Sequence, residues 1–496
     1  MRTAMLVNAG TPGSADWYLL RLGQGLANSY TDLQSLQQYA SGNHPFPQGN
    51  SAMRDAYRAF QRQSRSNYCG LIVSAVVERL SVEGFYSGGL DSTTDSDAWA
   101  LWQGNSLDAE SVTVHNLAAS LGRAYVIVGP PDPTDVETPD IPVITVESPF
   151  QVYHEPDPRR PRRTLSAIKT YFDSVRNLQV AIVYMPEGIY YYQATTNGPA
   201  TSSWDPSGWS ADTSEYPEGV APNPLGICPV VPFINRRSEQ SMGVAEFGDV
   251  VDIQDRINTT TLQMMVMQAM QAFRQRVIIG LDMEDENGAA LKPFDPGADL
   301  IWSIPGAPDD VQNISVTDLQ QGDISPLLQS IESAVGIIGN ISKTPPQYLT
   351  GQLVNVSGDA LVVAESGLVG KVKTRQIDFG ESWERVVRLA GMYNSVPVAQ
   401  DACIQWSNPE LYSLASKASA MVMLQTAGVP FRERMAVYGY SPTQIDRMEA
   451  ERTTDALLAN LNNPMSVDPG ISGSTVALAG GDPGQPAIPP VPVEGP

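Results

Sequence analysis

The chain has 496 residues, 42% of them apolar, and a net charge of −23 from 31 Lys and Arg against 54 Asp and Glu. That length suits several domains at roughly 150 residues each, and the charge argues against a surface built to hold nucleic-acid phosphate tightly, which needs clustered Lys and Arg. Cys69, Cys228 and Cys403 are far apart, odd in number and without CxxC spacing, so reduced thiols are expected; the first twenty residues suggest no signal peptide, and no run of about 18 apolar residues suggests a membrane span.

Residues 14–40 read as a helix with Trp17, Leu20, Leu26, Leu33 and Leu36 roughly on one side, and a second helix follows over 52–82. In "SDAWALWQGNSLDAESVTVHNLAASLG", Trp99, Trp102, Asn105 and Asp108 recur every three residues and suit one helix face. Leu121-Gly122 ends the next helix, and "RAYVIVG" is a short buried strand. From 141 to 234 the chain reads as β structure, with "MPEGIYYYQ" a hairpin turning at Glu187-Gly188. Residues 196–224, rich in Ser, Pro and Gly with two tryptophans, read as a surface loop. The prolines of "NPLGICPVVPFINRR" forbid a helix or a central strand, leaving an ordered extended connector.

A long helix is expected over 246–276, with Ile253, Ile257, Met264, Met265, Gln268 and Ala272 as its stripe. Residues 278–325 lose that period and suggest a small Asp- and Pro-rich strand-and-turn module. Helix returns at "SPLLQSIESAVGIIGNIS", with Ser325 as N-cap and Pro326 at its first position. Thr344-Pro345-Pro346 stops it, "QYLTGQLVNV" has no clear period, and Ser357 with Asp359 can open the next helix. There Leu361, Ala364, Leu368, Val372, Phe379, Trp383, Val386 and Ala390 form one apolar seam along roughly 50 Å at 1.5 Å per residue. Gly367, Gly370 and Gly380 interrupt it and suggest a bend. Two more helices follow. "NPELYSLASKASAMVMLQTAG" stops at Gly428 before Pro430, and "SPTQIDRMEAERTTDALLANL" opens on a capping box at Ser441 and Gln444. From 462 the Gly-, Pro- and Ser-rich tail is expected to be disordered.

The order of these elements, with "NPLGICPVVPFINRR", "FGDVVDIQDRIN", "PPQYLTG…SGDAL…AESGLVGK" and "WSNPELYSLASKASA", resembles the portal proteins of tailed bacteriophages, of the SPP1-like type. The resemblance covers about 15–460, with "SGDAL" ahead of a long helix as its most specific motif. It implies an α+β portal fold: a wing domain over 1–245, stem helices at 246–277 and 326–343, a clip at 278–325 between them, a tunnel loop at 344–357, a long tunnel/wing helix and connector at 358–408, a helical crown at 409–461, and the tail. It also implies a homo-oligomeric ring, typically a dodecamer, at one capsid vertex of the virion. The ring would serve DNA packaging and ejection, after assembly in the host cytoplasm. Its implied partners are the terminase large subunit, head-tail connector or neck proteins, major capsid and scaffolding proteins, and double-stranded DNA in passage, with no membrane, enzyme activity or cofactor.

Carried onto this sequence, the tunnel loop would meet DNA through Tyr348, Leu349, Thr350, Gln352, Leu353 and Asn355, with Lys343, Lys371 and Lys373 as nearby cations. Glu284, Asp285, Glu286, Asp309 and Asp310 would make the clip an acidic docking face, and Leu368, Val372, Phe379 and Trp383 are candidate contacts between subunits. The plainer readings are an ordinary connector for "QYLTGQLVNV", plain packing for "MMVMQAM", and a solvated turn for the arginines of "PDPRRPRR". His44, His115 and His154 have no metal-ligand spacing. The alternative function is another DNA-packaging component with nuclease or ATPase activity. No GxxxxGK[ST] phosphate loop, HExxH or GxSxG is present, which disfavours the ATPase in particular.

Overall fold

The computed structural model describes residues 10–47, 55–87, 93–195, 204–205, 207–238, 242–272, 276–279, 315–318, 322–351, 358–394, 398, 402–410, 414–440 and 442–462. The first helix, α1 (Ala15–Ala40), starts where the Trp17 amide donates to the Ser14 hydroxyl at 3.2 Å. The expected helix over 52–82 is two helices, α2 (Asp55–Gln63) and α3 (Tyr68–Val77), followed by strand β1 (Val82–Ser87). Asn67 is the reason for the break. Its side chain accepts from the Gly70 amide at 2.8 Å and donates to the Ala40 carbonyl at 3.0 Å, so it caps α3 and ties it to α1.

A short β2 (Thr93–Thr94) pairs with β1 and leads into α4 (Ser96–Gly104) and α5 (Leu107–Leu121). The threefold recurrence of Trp99, Trp102, Asn105 and Asp108 spans these two helices rather than one, because Ser106 adopts φ 53° and turns the chain between them. Trp102 Nε1 still donates to Asp108 Oδ1, at 2.8 Å across the break.

Strand β3 (Arg123–Pro131) is the centre of a three-stranded antiparallel sheet, between β4 (Pro142–Glu147) and β11 (Val230–Ile234). The expected connector is therefore an edge strand, the one place in a sheet where Pro232 costs no ladder hydrogen bond. Between β4 and β11 runs a second antiparallel sheet in the order β10-β8-β7-β6-β5. Its strands are β5 (Val152–Asp157), β6 (Arg160–Asp173), β7 (Leu178–Tyr184), β8 (Gly188–Ala194) and β10 (Val220–Pro222), with β9 (Ser210–Ala211) on β8. The β7–β8 hairpin turns where the sequence places it, with the Met185 amide donating to the Gly188 carbonyl at 3.0 Å.

α1 packs on this sheet through Leu19 and Leu22, against Ile168, Ala181 and Val183. Trp204 and Trp209, read from sequence as part of a surface loop, stack at 4.9 Å and pack into the same cluster. Gly23 of α1 makes the room: a Cβ there would lie 2.1 Å from the Trp204 ring.

The chain then crosses back at a contact between two glycines. Gly122 (φ 81°) ends α5, and a Cβ on Gly243 (φ 104°) would lie 1.9 Å from the Gly122 carbonyl oxygen. That approach lets the Glu246 amide donate to the Ala119 carbonyl at 2.8 Å, which fixes Glu246 just ahead of a 3₁₀ turn (Gly248–Val250) and α6 (Val251–Ala272). α6 is tied to the α2–α3 joint by buried polar groups: Asn258 Oδ1 accepts from the Ser66 amide, and Gln254 Oε1 from the Tyr68 amide, both at 3.0 Å.

β12 (Arg276–Ile279) and β13 (Ser315–Asp318) pair antiparallel, Arg276 opposite Asp318. Of the expected module at 278–325, the described residues 278–279 and 315–318 are strand. Glu284, Asp285, Glu286, Asp309 and Asp310 lie outside the described residues.

α7 (Ser325–Ser342) starts one residue earlier than expected. Ile324 is its N-cap, and Asp323 Oδ1 accepts from the Ser325 amide at 2.8 Å, so Asp323 does the capping assigned to Ser325. After a short α8 (Pro346–Thr350) comes α9 (Gly358–Tyr393), 36 residues long, or about 54 Å at 1.5 Å per residue. Strand β14 (Cys403–Trp406) returns to pair antiparallel with β1. α10 (Leu414–Thr426), α11 (Phe431–Tyr438) and α12 (Pro442–Asn462) complete the described chain; Ser441 and the residues from 463 lie outside it. The residues from Asp446 onward form a separate unit.

Candidate channel segment and its attachments

α7 ends at Lys343, which adopts φ 54°, while the Thr344 amide donates to the Gly339 carbonyl at 3.0 Å. This left-handed turn reverses the chain onto α7. Residues 346–350, expected to be part of a loop without period, form the single helical turn α8, closed by Gly351 at φ 67°. Leu349 is buried and packs beside Gly339, where an added Cβ would lie 3.0 Å from Leu349 Cδ1. Leu349 is therefore corrected from a DNA contact to a core residue, because its apolar side chain finds cover with Val335 and Ile338.

Tyr348 is held as well. Its hydroxyl accepts from Arg79 Nη2 at 2.9 Å and donates to Glu365 Oε1 at 3.3 Å. Arg79 and Glu365 form a nearly buried ion pair at 3.2 Å. Thr350 is exposed, with its hydroxyl donating to the Pro346 carbonyl at 3.0 Å. Gln352, Leu353 and Asn355 lie outside the described residues.

The three lysines separate. Lys343 is exposed. Lys373 pairs with Glu410 on the surface. Lys371 is not a channel cation, because its Nζ lies 2.8 Å from Glu246 Oε2 and 3.1 Å from the Ser342 carbonyl, with its side chain 10% exposed. Arg375 Nε meets the other Glu246 oxygen at 2.5 Å. Burial works against the Glu246 charge, yet Lys371 and Arg375 outweigh it and hold the carboxyl below its usual range. Burial pulls the Lys371 pKa down against the pull of Glu246. One carboxylate thus joins α9 to the segment leading into α6, and Lys371 adds the end of α7.

The seam of α9 is also reassigned. Leu368, Val372, Phe379 and Trp383 are each at most 1% exposed within a single chain, so their contacts are intramolecular and not between subunits. They join the cluster that holds Phe85, Trp102, Val126 and Phe233. Trp383 stands edge-on to Trp102 at 4.9 Å and to Phe233 at 4.7 Å, and its Nε1 donates to His115 Nε2 at 2.9 Å. That bond requires a neutral His115, and burial lowers its pKa to about 3. Gly380 interrupts the seam without breaking the helix: a Cβ there would sit 3.0 Å from Ile404 Cγ2, so the glycine admits β14.

Sequence reasoning missed Arg79, Glu246, Glu365 and Arg375. A signal for two of them was present, since Glu365 and Arg375 fall at helical spacing on the same stripe as Leu368, Val372, Phe379 and Trp383. Charges on a buried stripe imply partners. Among the described residues no three His, Cys, Asp or Glu side chains could together hold a metal ion, and no helix is long and apolar enough to cross a membrane.

Residues 21–397 match the family described as phage portal protein, SPP1 Gp6-like. The chain belongs to that family. It is 30% identical over 430 residues to the portal protein of Mycobacterium phage D29, covering 82% of this chain and 83% of the relative. It is also 30% identical over 444 residues to that of Mycobacterium phage L5, covering 85% of each. Among solved structures, this portal-family chain is similar to one in the neck of an empty gene transfer agent particle computed with C6 symmetry, with a TM-score of 0.44, 9% identity, and coverage of 82% of this chain and 93% of that one. A chain from the native gene transfer agent virion gives a TM-score of 0.41 at 10% identity, with the same coverage. The sequence resemblance is thus borne out, and this is a phage portal-channel protein of mixed helix and sheet. Nothing in these relationships supports the nuclease or ATPase alternative.

Proposed function

We propose that this chain closes head to tail into a ring, of twelve subunits as its family resemblance implies, and that residues 352–357 form the part of each subunit that meets passing duplex DNA. The observation that supports this is the fastening of the elements on both sides of that short segment. On one side α8 is fastened by Leu349 and Tyr348, and on the other α9 is fastened by Glu365, Lys371 and Arg375. Both flanking elements are thus held by the body of the subunit. The DNA-facing set is then Gln352, Leu353 and Asn355, with Thr350 at its edge. Neutral side chains suit a polymer that slides, because phosphates held by clustered cations bind tightly.

The module between β12 and β13, with Glu284, Asp285, Glu286, Asp309 and Asp310, is the proposed docking face for the terminase large subunit and later for neck proteins. Its charge favours basic partner surfaces and salt-sensitive docking. Major capsid and scaffolding proteins would meet the ring during assembly in the host cytoplasm. Electron microscopy and native mass spectrometry of the purified chain test the ring directly: closed rings with a central hole are expected, and compact monomers at every concentration refute the reading. Gln352→Lys with Asn355→Lys should slow packaging or increase stalling, and unimpaired packaging would remove these residues from the channel.

A further inference from the structure

One cleft reverses the charge of the rest of the molecule. It is open, about 680 Å³, and lies between the start of β6, the β11 edge and the outer face of α9. Its walls carry Arg162, Arg163, Arg237, Arg385 and Arg388 against three carboxylates, in a chain of net charge −23. Arg162 pairs with Asp378 at 3.2 Å, and Arg388 lies 3.8 Å from Glu384. Arg163, Arg237 and Arg385 have no ion-pair partner among the described residues. Arg385 Nη1 donates to the Arg162 carbonyl at 3.1 Å, and Arg237 donates to the Pro161 carbonyl, so backbone oxygens aim two of these guanidinium groups without neutralising them. Burial, together with neighbouring cations, pulls the pKa of Arg385 and Arg237 below its ordinary value, which is the cost of leaving cations crowded and partly dry. Met392, 52% exposed, adds an apolar spot to the rim.

The same chain carries a matching protrusion. The loop joining β3 to β4, residues 132–140, contains Asp132, Asp135, Glu137 and Asp140 and no Lys or Arg. It is held in one shape. Asp132 Oδ1 accepts from the Thr134 amide at 2.9 Å and from its hydroxyl at 2.7 Å, while Asp135 accepts from the Glu137 amide at 3.0 Å and the Thr138 hydroxyl at 2.8 Å. Between them Val136 is 94% exposed. The register keeps this loop away from the cleft's far wall in its own chain. Ile127 pairs with Val230 and Arg123 with Ile234, so the loop leaves the sheet at the Val230 end and Arg237 follows the Ile234 end.

We infer that the arginine cleft receives the acidic β3–β4 loop of a second copy of this chain, with Val136 against the Met392 rim. The contact joins two different surfaces, so it is heterologous and propagates around a ring. It rests on the ring reading above and adds to it which surfaces meet. A preorganised loop loses little conformational freedom on docking, and charge complementarity sets its register.

The test uses the full chain and native mass spectrometry over a range of protein and salt concentrations. Arg163→Glu with Arg237→Glu should raise the concentration needed for rings at least tenfold, as should Glu137→Lys with Asp140→Lys, which leaves the Asp132 and Asp135 bonds that shape the loop in place. The four substitutions together should restore ring formation to near the wild-type concentration. The loop pair is exposed and outside every core cluster, so its effect stands even if the arginine pair lowers the melting temperature. Wild-type rings with variants that assemble unchanged would overturn this inference and leave the ring intact. Wild-type chain that never forms rings would overturn both. Labelled duplex DNA bound by the wild type, released by the arginine pair and indifferent to the loop pair would show that the cleft serves nucleic acid and would overturn the assignment to a second copy.

Discussion

Replacing Trp383 with Phe separates packing inside one chain from packing between chains. The indole is fully buried, edge-on to Trp102 and Phe233, and donates to His115 Nε2. Phe keeps most of the apolar contact but leaves a small void and removes the donor to that imidazole nitrogen. The lost area and void cost about 1–2 kcal/mol, and an unsatisfied buried acceptor adds about 1–3 kcal/mol. Trp383→Ala would cost about 3–5 kcal/mol from the cavity alone, against a typical total stability of about 5–15 kcal/mol, so the milder change is the useful one. Native-state hydrogen exchange reads it locally: amides in the middle of α9 should open at roughly 2–5 kcal/mol less cost. The shift should be the same at low and high protein concentration, because every contact named lies within one chain. Unchanged exchange in α9, or a loss that appears only where rings dissociate, would show that the seam faces a neighbour after all.

Three further outcomes follow from the same geometry. Glu246→Ala leaves Lys371 and Arg375 buried without their shared partner and should cost about 3–5 kcal/mol; denaturant unfolding checks it, and a loss below about 1 kcal/mol would mean that water reaches the site. Tyr348→Phe removes the hydroxyl between Arg79 and Glu365 and should speed exchange at 347–351 by about 1 kcal/mol of opening free energy without changing the core, while equal protection would refute its fastening role. His115 and His154 have pKa values lowered to about 3 by burial, against an ordinary 6.5, so below pH 6.5 the unfolded chain binds protons that the folded chain does not. Stability should therefore fall as pH drops from 6.5 towards 3, by up to about 1.4 kcal/mol per pH unit for each histidine, and replacing both with Gln should flatten that slope.

Elements with a strong local signal were legible in the sequence: α1, the strand after Gly122, the β7–β8 hairpin and the rod of α9. The failures share a cause, which is that periodicity reports which side of a helix is apolar but not what covers it. Leu368 and Trp383 read equally well as a subunit contact or a core, and only the return of β3, β11 and β14 decides for the core. Leu349 looked like a loop residue because five residues are too few to show a period. Arg79 and Glu365 are 286 residues apart, so no local pattern links them, and the Glu246 site depends on two glycines meeting across a crossover.

The pairing of β14 with β1 has a consequence for the order in which the protein is made. Phe85 sits opposite Ile404, so a strand made early waits for one made more than three hundred residues later. At roughly 5–20 residues per second, the ribosome takes from about 15 seconds to about a minute to supply that partner. For most of that interval the apolar face that α9 will cover has no α9 to cover it, and the β1 edge that β14 will meet is unpaired. A nascent chain in this state is a target for chaperones and for its own siblings on the same message.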